Sequence, residues 1–232
     1  MKRGWFITGT DTGIGKTCVS VALLRALKSS AFTTVAMKPV ASGCIVTECG
    51  LRNDDAERLL RECTHDLAYE LVNPYAFEPA IAPHIAADAV GAVIEIPHIV
   101  DCCRRIAATA DAAVVEGVGG WLVPVSDRET MQDVAVALGY PVILVVGIRL
   151  GCLNHALLTA AAVRAAGLSL AGWVANRCDG ECVNPDANVR ALQQRLEAPL
   201  IADFPFIDAA EWPQQQHQRI DLKQLLTGRA SS

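Results

Sequence analysis

Phe6-Ile7-Thr8-Gly9-Thr10-Asp11-Thr12-Gly13-Ile14-Gly15-Lys16-Thr17 joins a short β-rich run, Trp5 to Thr8, to an amphipathic pattern from Lys16 to Lys28. A glycine-rich turn ending in Gly-Lys-Thr between a strand and a helix is the context a phosphate-binding loop requires. Its N–H groups and the positive helix terminus would cradle phosphates, with Lys16 reaching the β- and γ-phosphates and the Thr17 hydroxyl ligating Mg²⁺. The pattern departs from the usual one in a single respect: Thr10 stands where the first glycine is expected, and Gly9 falls one residue earlier. Outward from this stretch, strand and helix patterns alternate. Strands are expected at Thr33 to Met37, Ala112 to Glu116, Pro141 to Val146, Ser169 to Asn176 and Leu200 to Asp203. Helices are expected at Asp54 to Arg61, Ile81 to Val90, Pro97 to Ala108, Met131 to Leu138, Asn154 to Ala166 and Ala187 to Leu196. The alternation predicts an α/β fold, a doubly wound and mostly parallel sheet flanked by helices on both faces, with ligands beyond the C-terminal strand ends.

Composition supports this fold class and excludes others. The chain has 232 residues, 52% hydrophobic and 19% charged, with a formal net charge of −5. That length suits one domain over residues 1–232, with Gly228 to Ser232 expected as a frayed tail. Lys and Arg are scattered rather than striped, so no nucleic-acid partner is expected. The longest apolar run, Pro141 to Ile148, falls well short of the roughly 18 residues that span a bilayer, and no targeting segment is visible. Nine cysteines, odd in number and without a CxxC pair, encode neither a disulfide framework nor a zinc site, and fit reduced thiols in the cytoplasm. Cys178 and Cys182 lack His or Cys partners close in sequence that would make a metal site of them.

Three polar residues fall at expected strand or helix ends. Glu116 closes an apolar strand and precedes Gly117-Val118-Gly119-Gly120; a carboxylate there is costly unless a cation pairs with it, which suits a metal position. Asp54 or Asp55 either caps the helix beginning there or reaches the metal, and the residues alone leave both open. Lys38 follows the second strand and precedes Pro39-Val40-Ala41-Ser42-Gly43, so it is either a solvated strand-end charge or a cation facing the phosphate loop.

Together these segments resemble the dethiobiotin synthetase family. The resemblance rests on FITGTDTGIGKT at Phe6 to Thr17, KPVASG at Lys38 to Gly43, GLRNDDA at Gly50 to Ala56, VNPYAF at Val72 to Phe77, VEGVGGW at Val115 to Trp121, LGCLNHALLTA at Leu150 to Ala160 and GWVANR at Gly172 to Arg177. The stretch between Arg177 and Pro199 and the segment after Ile207 carry no family motif. The resemblance implies a magnesium- and ATP-dependent ring closure in which 7,8-diaminononanoate takes up CO2 as a carbamate, ATP phosphorylates it, and the second amine closes the ureido ring. It implies that Lys16 and Lys38 are catalytic and that Thr17, Asp55 and Glu116 hold the metal. ATP would lie against Gly13, Ile14, Gly15, Lys16, Thr17, Cys18, Asp55, Glu116, Gly117, Val118, Gly119, Asn176, Arg177, Pro205, Phe206 and Ile207. The substrate would meet Thr12, Lys38, Ser42 and Gly119, and its carboxylate tail would meet Gly151, Cys152 and Asn154 of the other subunit of a homodimer.

Two departures from the family pattern concern details. Gly13 occupies a position often filled by a larger residue, and Asn184 to Val189 offers no tyrosine hydroxyl for the substrate tail. His84 and His155 match family context but read as packed or capped residues. Among other classes, a glutamine-dependent amidoligase would need a glutaminase cysteine domain, and none follows. A dimerisation-switch ATPase would carry a lysine at position 11, which is Asp11 here. A regulatory nucleotide-binding module would leave Lys38, Ser42 and the VEGVGG segment unexplained.

Overall fold

The computed structural model describes residues 3–207 and 214–227. In chain order the strands are β1 (Arg3–Gly9), β2 (Thr34–Met37), β3 (Val40–Ser42), β4 (Ile45–Thr47), β5 (Gly50–Arg52), β6 (Tyr75–Phe77), β7 (Ala112–Glu116), β8 (Val142–Gly147), β9 (Leu170–Asn176) and β10 (Leu200–Phe204). The helices are α1 (Lys16–Ser29), α2 (Asp54–Leu60), α3 (Tyr69–Val72), α4 (Pro83–Ala89), α5 (Ile96–Ala107), α6 (Met131–Leu138), α7 (Cys152–Ala165), α8 (Pro185–Gln193) and α9 (Leu222–Thr227). Six strands form one sheet in the order β10-β9-β8-β1-β7-β2. Every pair in it is parallel, as expected.

The alternation of side chains along β1 shows how both faces of the sheet are covered. Trp5 and Ile7 enter a core with Leu23, Leu24 and Leu27 of α1, while Phe6 between them points to the opposite core with Ile99 and Ile106 of α5 and Val134 of α6. A third core packs Leu144, Val146 and Trp173 against α7 and α8. Strands buried on both faces read as continuous apolar runs, and β8 is buried at all six positions. Local chemistry fixes the helix ends. Thr130 and Asp133 form a capping box at the start of α6, and Gly139 closes it in the left-handed region at φ 68.

Most expected elements appear within two residues of their sequence boundaries. Helix α7 begins at Cys152 rather than Asn154 because Gly151, at φ 90, turns the chain one residue earlier, and Pro185 sets the start of α8 ahead of Ala187. The segment 40–77 holds β3 paired with β6, the β4–β5 hairpin and the one-turn helix α3, none of which periodicity indicated. Strands of three residues are too short for an alternation to show. The expected tail Gly228 to Ser232 lies outside the described residues. No helix among the described residues is long and apolar enough to cross a membrane.

Candidate active site

β1 lies at the centre of the sheet, so the loop after it emerges between the C-terminal ends of β7 and β8. That loop borders a cleft of about 680 Å³ lined by Thr12, Gly13, Gly15, Lys16, Thr17, Cys18, Lys38, Ala41, Ser42, Asn53, Asp55, Arg58, Ala80 to Pro83, Glu116, Val118, Gly119 and Val123. Gly15 has φ 84, and a Cβ on it would lie 2.3 Å from the Asn176 amide nitrogen, so backbone conformation and space both require glycine. Gly13 has φ 74 with open space around it, so only its backbone conformation favours glycine there.

Four side chains from separate elements converge in this cleft. Met37 of β2 is in register with Val115 of β7, which sets Lys38 beside Glu116. The Lys38 ammonium donates to Glu116 Oε1 at 2.6 Å and to Asp55 Oδ2 at 3.1 Å, and the Thr17 hydroxyl donates to the same Glu116 oxygen at 2.8 Å. Glu116 is fully buried and Lys38 only 4% exposed, so the expectation that this carboxylate needs a cation is met. Burial works to lower the Lys38 pKa, but the carboxylates of Glu116 and Asp55 outweigh it and hold the ammonium above the ordinary lysine value. Burial would raise Asp55, yet the Lys38 charge keeps its carboxyl below the usual range. Lys16 moves the other way: burial and the neighbouring Lys38 charge bring it down to about 8, while its ammonium donates to the Asp11 carbonyl at 2.8 Å.

Two buried polar atoms here, Glu116 Oε2 and Ser42 Oγ, have no hydrogen-bond partner among the described residues. The first tests the fit of a divalent cation. Two carboxylates already accept from the Lys38 ammonium, the Thr17 hydroxyl donates to one of them, and a further Glu116 lone pair stays open. Mg²⁺ commonly takes one or two protein carboxylates and completes its shell with water and substrate phosphates, so the donor set fits. Among the described residues no group of three or more His, Cys, Asp or Glu that could hold a metal ion is found, at Cys178 and Cys182 or elsewhere. Neither Asp54 nor Asp55 caps this helix: Asn53 Oδ1 accepts from the Ala56 N–H at 3.2 Å, while Asp55 in the first turn faces Lys38.

The segment VNPYAF has a structural task that sequence reasoning did not assign. Asn73 Nδ2 donates to the Lys38 carbonyl at 2.7 Å, Tyr69 donates its hydroxyl proton to Asn73 Oδ1 at 3.0 Å, and the Asn53 N–H donates to the same tyrosine oxygen at 2.8 Å. One buried network thus fixes the strand end bearing Lys38 relative to the helix bearing Asp55. Two arginines also escaped notice. Arg149 pairs with Asp11 inside the phosphate loop, and Arg58 lines the cleft. Their partners lie 138 and 40 residues away in sequence, so no local pattern could reveal them.

The other expected site residues do not line this cleft. Asn176 is buried behind the phosphate loop and donates to the Ile14 carbonyl at 2.7 Å. Arg177 next to it is held by Asp203 and Asp186. Pro205 to Ile207 follow β10, with Phe206 55% exposed. Gly151 and Asn154 are exposed and Cys152 is buried at the start of α7, whose first turn carries no side-chain cap and no acidic residue. Gly117 follows Glu116, and its carbonyl lies 3.5 Å from the Lys38 ammonium. His155 is exposed, and neither it nor His84 lines the cleft.

A parallel sheet with a Gly-Lys-Thr loop at its central strand, facing the buried Glu116 and the part-exposed Asp55, defines a P-loop nucleotide-binding protein. Solved structures of that class share the fold. A chain of the MinC:MinD cell division protein complex of Aquifex aeolicus superposes with a TM-score of 0.59 at 19% identity, over 95% of this chain and 89% of that one. A ParA family ATPase from Chlorobium tepidum gives 0.56 at 15%, over 99% and 91%. A family described as an AAA domain matches residues 3–214. Nearer relatives narrow the class: the ATP-dependent dethiobiotin synthetase BioD of Pseudomonas paraeruginosa is 50% identical over 225 residues, 97% of this chain and 98% of that protein. The one from Nitrosospira multiformis is 49% identical over 226 residues, 97% and 95%. The chain belongs to the ATP-dependent dethiobiotin synthetase family, ATP-using ligases of biotin biosynthesis.

Proposed function

We propose that the chain, acting as one domain over residues 1–232, closes the ureido ring of dethiobiotin from 7,8-diaminononanoate, CO2 and ATP, releasing ADP and phosphate. The observation that carries this reading is the convergence of Lys38, Glu116, Asp55 and Thr17 beside Lys16, in a cleft where the buried Ser42 hydroxyl has no partner among the described residues. The reaction must bring two anions together, a carbamate and a triphosphate, and concentrated positive charge is what such an encounter needs.

One substrate amine adds to CO2 and loses a proton, giving a carbamate that the Lys38 ammonium and the Ser42 hydroxyl hold. Lys16 and the backbone of the phosphate loop orient the triphosphate so that a carbamate oxygen attacks the γ-phosphorus and ADP departs. The Glu116 and Asp55 carboxylates favour the charged form of Lys38, the form that can hold an anion. The second amine then attacks the carbonyl carbon of the carbamic-phosphoric anhydride, and as the ring forms the nitrogen gives up a proton and the C–O bond to phosphate breaks, so that phosphate leaves. Magnesium, held by Thr17, Asp55 and Glu116, supplies charge neutralisation on the phosphates when bound.

Asn176, Arg177 and Pro205 to Ile207 bound the adenine in this reading. The enzyme works as a homodimer in the cytoplasm, with the substrate carboxylate at the start of α7 of the other subunit; Leu150, 98% exposed beside that helix, and nine free thiols agree with this. A monomeric mass in sedimentation would sink the dimer. The reaction itself is tested by product mass: protein, diamine, bicarbonate, ATP and Mg²⁺ should yield dethiobiotin with ADP and phosphate, and none when ATP or magnesium is withheld. ATP binding without any dethiobiotin would overturn the assignment.

A further inference from the structure

The cations around the cleft are nearly all spoken for. Lys38 is held by Glu116 and Asp55, Lys16 by the Asp11 carbonyl, and Arg149 by Asp11. Arg58 differs. It lines the same cleft from α2, one helical turn beyond Asp55, yet no carboxylate among the described residues comes within ion-pair distance of it. Asp54 and Asp55 act on it only from farther away. Its one close polar contact among the described residues is the Cys18 sulfur, 3.6 Å from Nη2, and cysteine sulfur is a weak hydrogen-bond acceptor. Cys18 directly follows Thr17 in the first turn of α1, the turn whose N–H groups form the phosphate cradle. A half-buried guanidinium over that turn, with no direct ion-pair partner among the described residues, is placed for an anion bound there.

We propose that Arg58 is a positioning residue for the nucleotide, donating to the α- and β-phosphates seated over the first turn of α1 and so strengthening ATP and ADP binding. The inference rests on ATP occupying the phosphate loop. A guanidinium forks onto phosphate oxygens with charge-assisted bonds, and Arg58 reaches them from a different element than the loop. Sequence position alone gives no hint of this, because Arg58 and Cys18 are 40 residues apart.

The test is calorimetric titration of ADP and of adenosine into the parent protein, Arg58→Ala, Arg58→Gln and Arg58→Lys, with thermal unfolding run alongside. ADP should bind about tenfold more weakly to the Ala and Gln variants, the effect of losing one charge-assisted bond, and less weakly to Lys. Adenosine affinity should stay unchanged, and KM for ATP should rise in step with the loss of ADP affinity. If Ala unfolds, Gln and Lys decide the matter. ADP binding within about twofold of the parent in a folded variant overturns the proposal, as does an equal loss for adenosine, which would mark a purely structural arginine. A parent that binds no ADP would instead sink the nucleotide site, and this inference with it.

Discussion

Lys38 and Glu116 illustrate how much depends on single residues here. Lys38→Met keeps most of the side-chain volume but removes the charge proposed to hold the carbamate, and leaves Glu116 buried without its cation. Ring closure, read as dethiobiotin formed per minute, should fall about 10²- to 10³-fold while ADP still binds; near-normal turnover in a folded protein would exclude the role. Glu116→Gln tests the same pair from the other side. It strands an ammonium that is only 4% exposed, so unfolding by urea should lose about 3 kcal/mol, the low end of the range for a broken buried pair because Asp55 remains. Magnesium dependence of turnover should shift to higher concentration in this variant, and an unchanged dependence would remove Glu116 from the metal shell.

At the scale of elements, α1 matters twice: its first turn borders the cleft, and its far end is tied to the segment after α2 by one carboxylate. Glu62 accepts from Arg25 at 2.8 Å and Lys28 at 2.5 Å, with its side chain 10% exposed. Burial alone would raise its pKa, but these two cations win and hold the carboxyl below the ordinary value of 4.5. A carboxyl depressed in the folded state stabilises the protein above its unfolded pKa, and the contribution disappears as pH falls below about 4.5. Glu62→Gln should therefore cost about 1–2 kcal/mol at pH 7, discounted because both cations are about one-third exposed, and flatten the loss of stability on acidification. Equal slopes below pH 4.5 for parent and variant would refute the linkage. Elements also explain what was hard to read from the chain: β3 to β6 are three residues each, held by pairing partners rather than by any pattern of their own.

For the molecule as a whole, the nine thiols give an observable that depends on packing everywhere. All are free, five are buried and only Cys49 is exposed. Burial pushes Cys63 and Cys103 up to about 11, which slows them further, since the thiolate is the reactive form. A thiol reagent should count nine groups in denaturant and one prompt group in the native protein, with the partly buried thiols following slowly. Reductant should leave the unfolding midpoint unchanged. Six or more prompt thiols would mean the cores are open to solvent.

The amino-acid sequence by itself determined the β-α alternation, the doubly apolar strands and the Gly-Lys-Thr loop, because strand and helix periods and turn chemistry are local properties. It also marked Glu116 as a carboxylate in need of a cation, since an apolar run ending in a charge carries that cost wherever it folds. Which cation answers it was decided only in three dimensions. Lys38 lies 78 residues from Glu116, and they meet because β2 and β7 are neighbours with Met37 in register with Val115. The same holds for the Asn53–Tyr69–Asn73 network that fixes Lys38 and for Arg58 over the first turn of α1. Each joins groups from different elements, and such contacts exist only after the sheet order has set which strand ends adjoin.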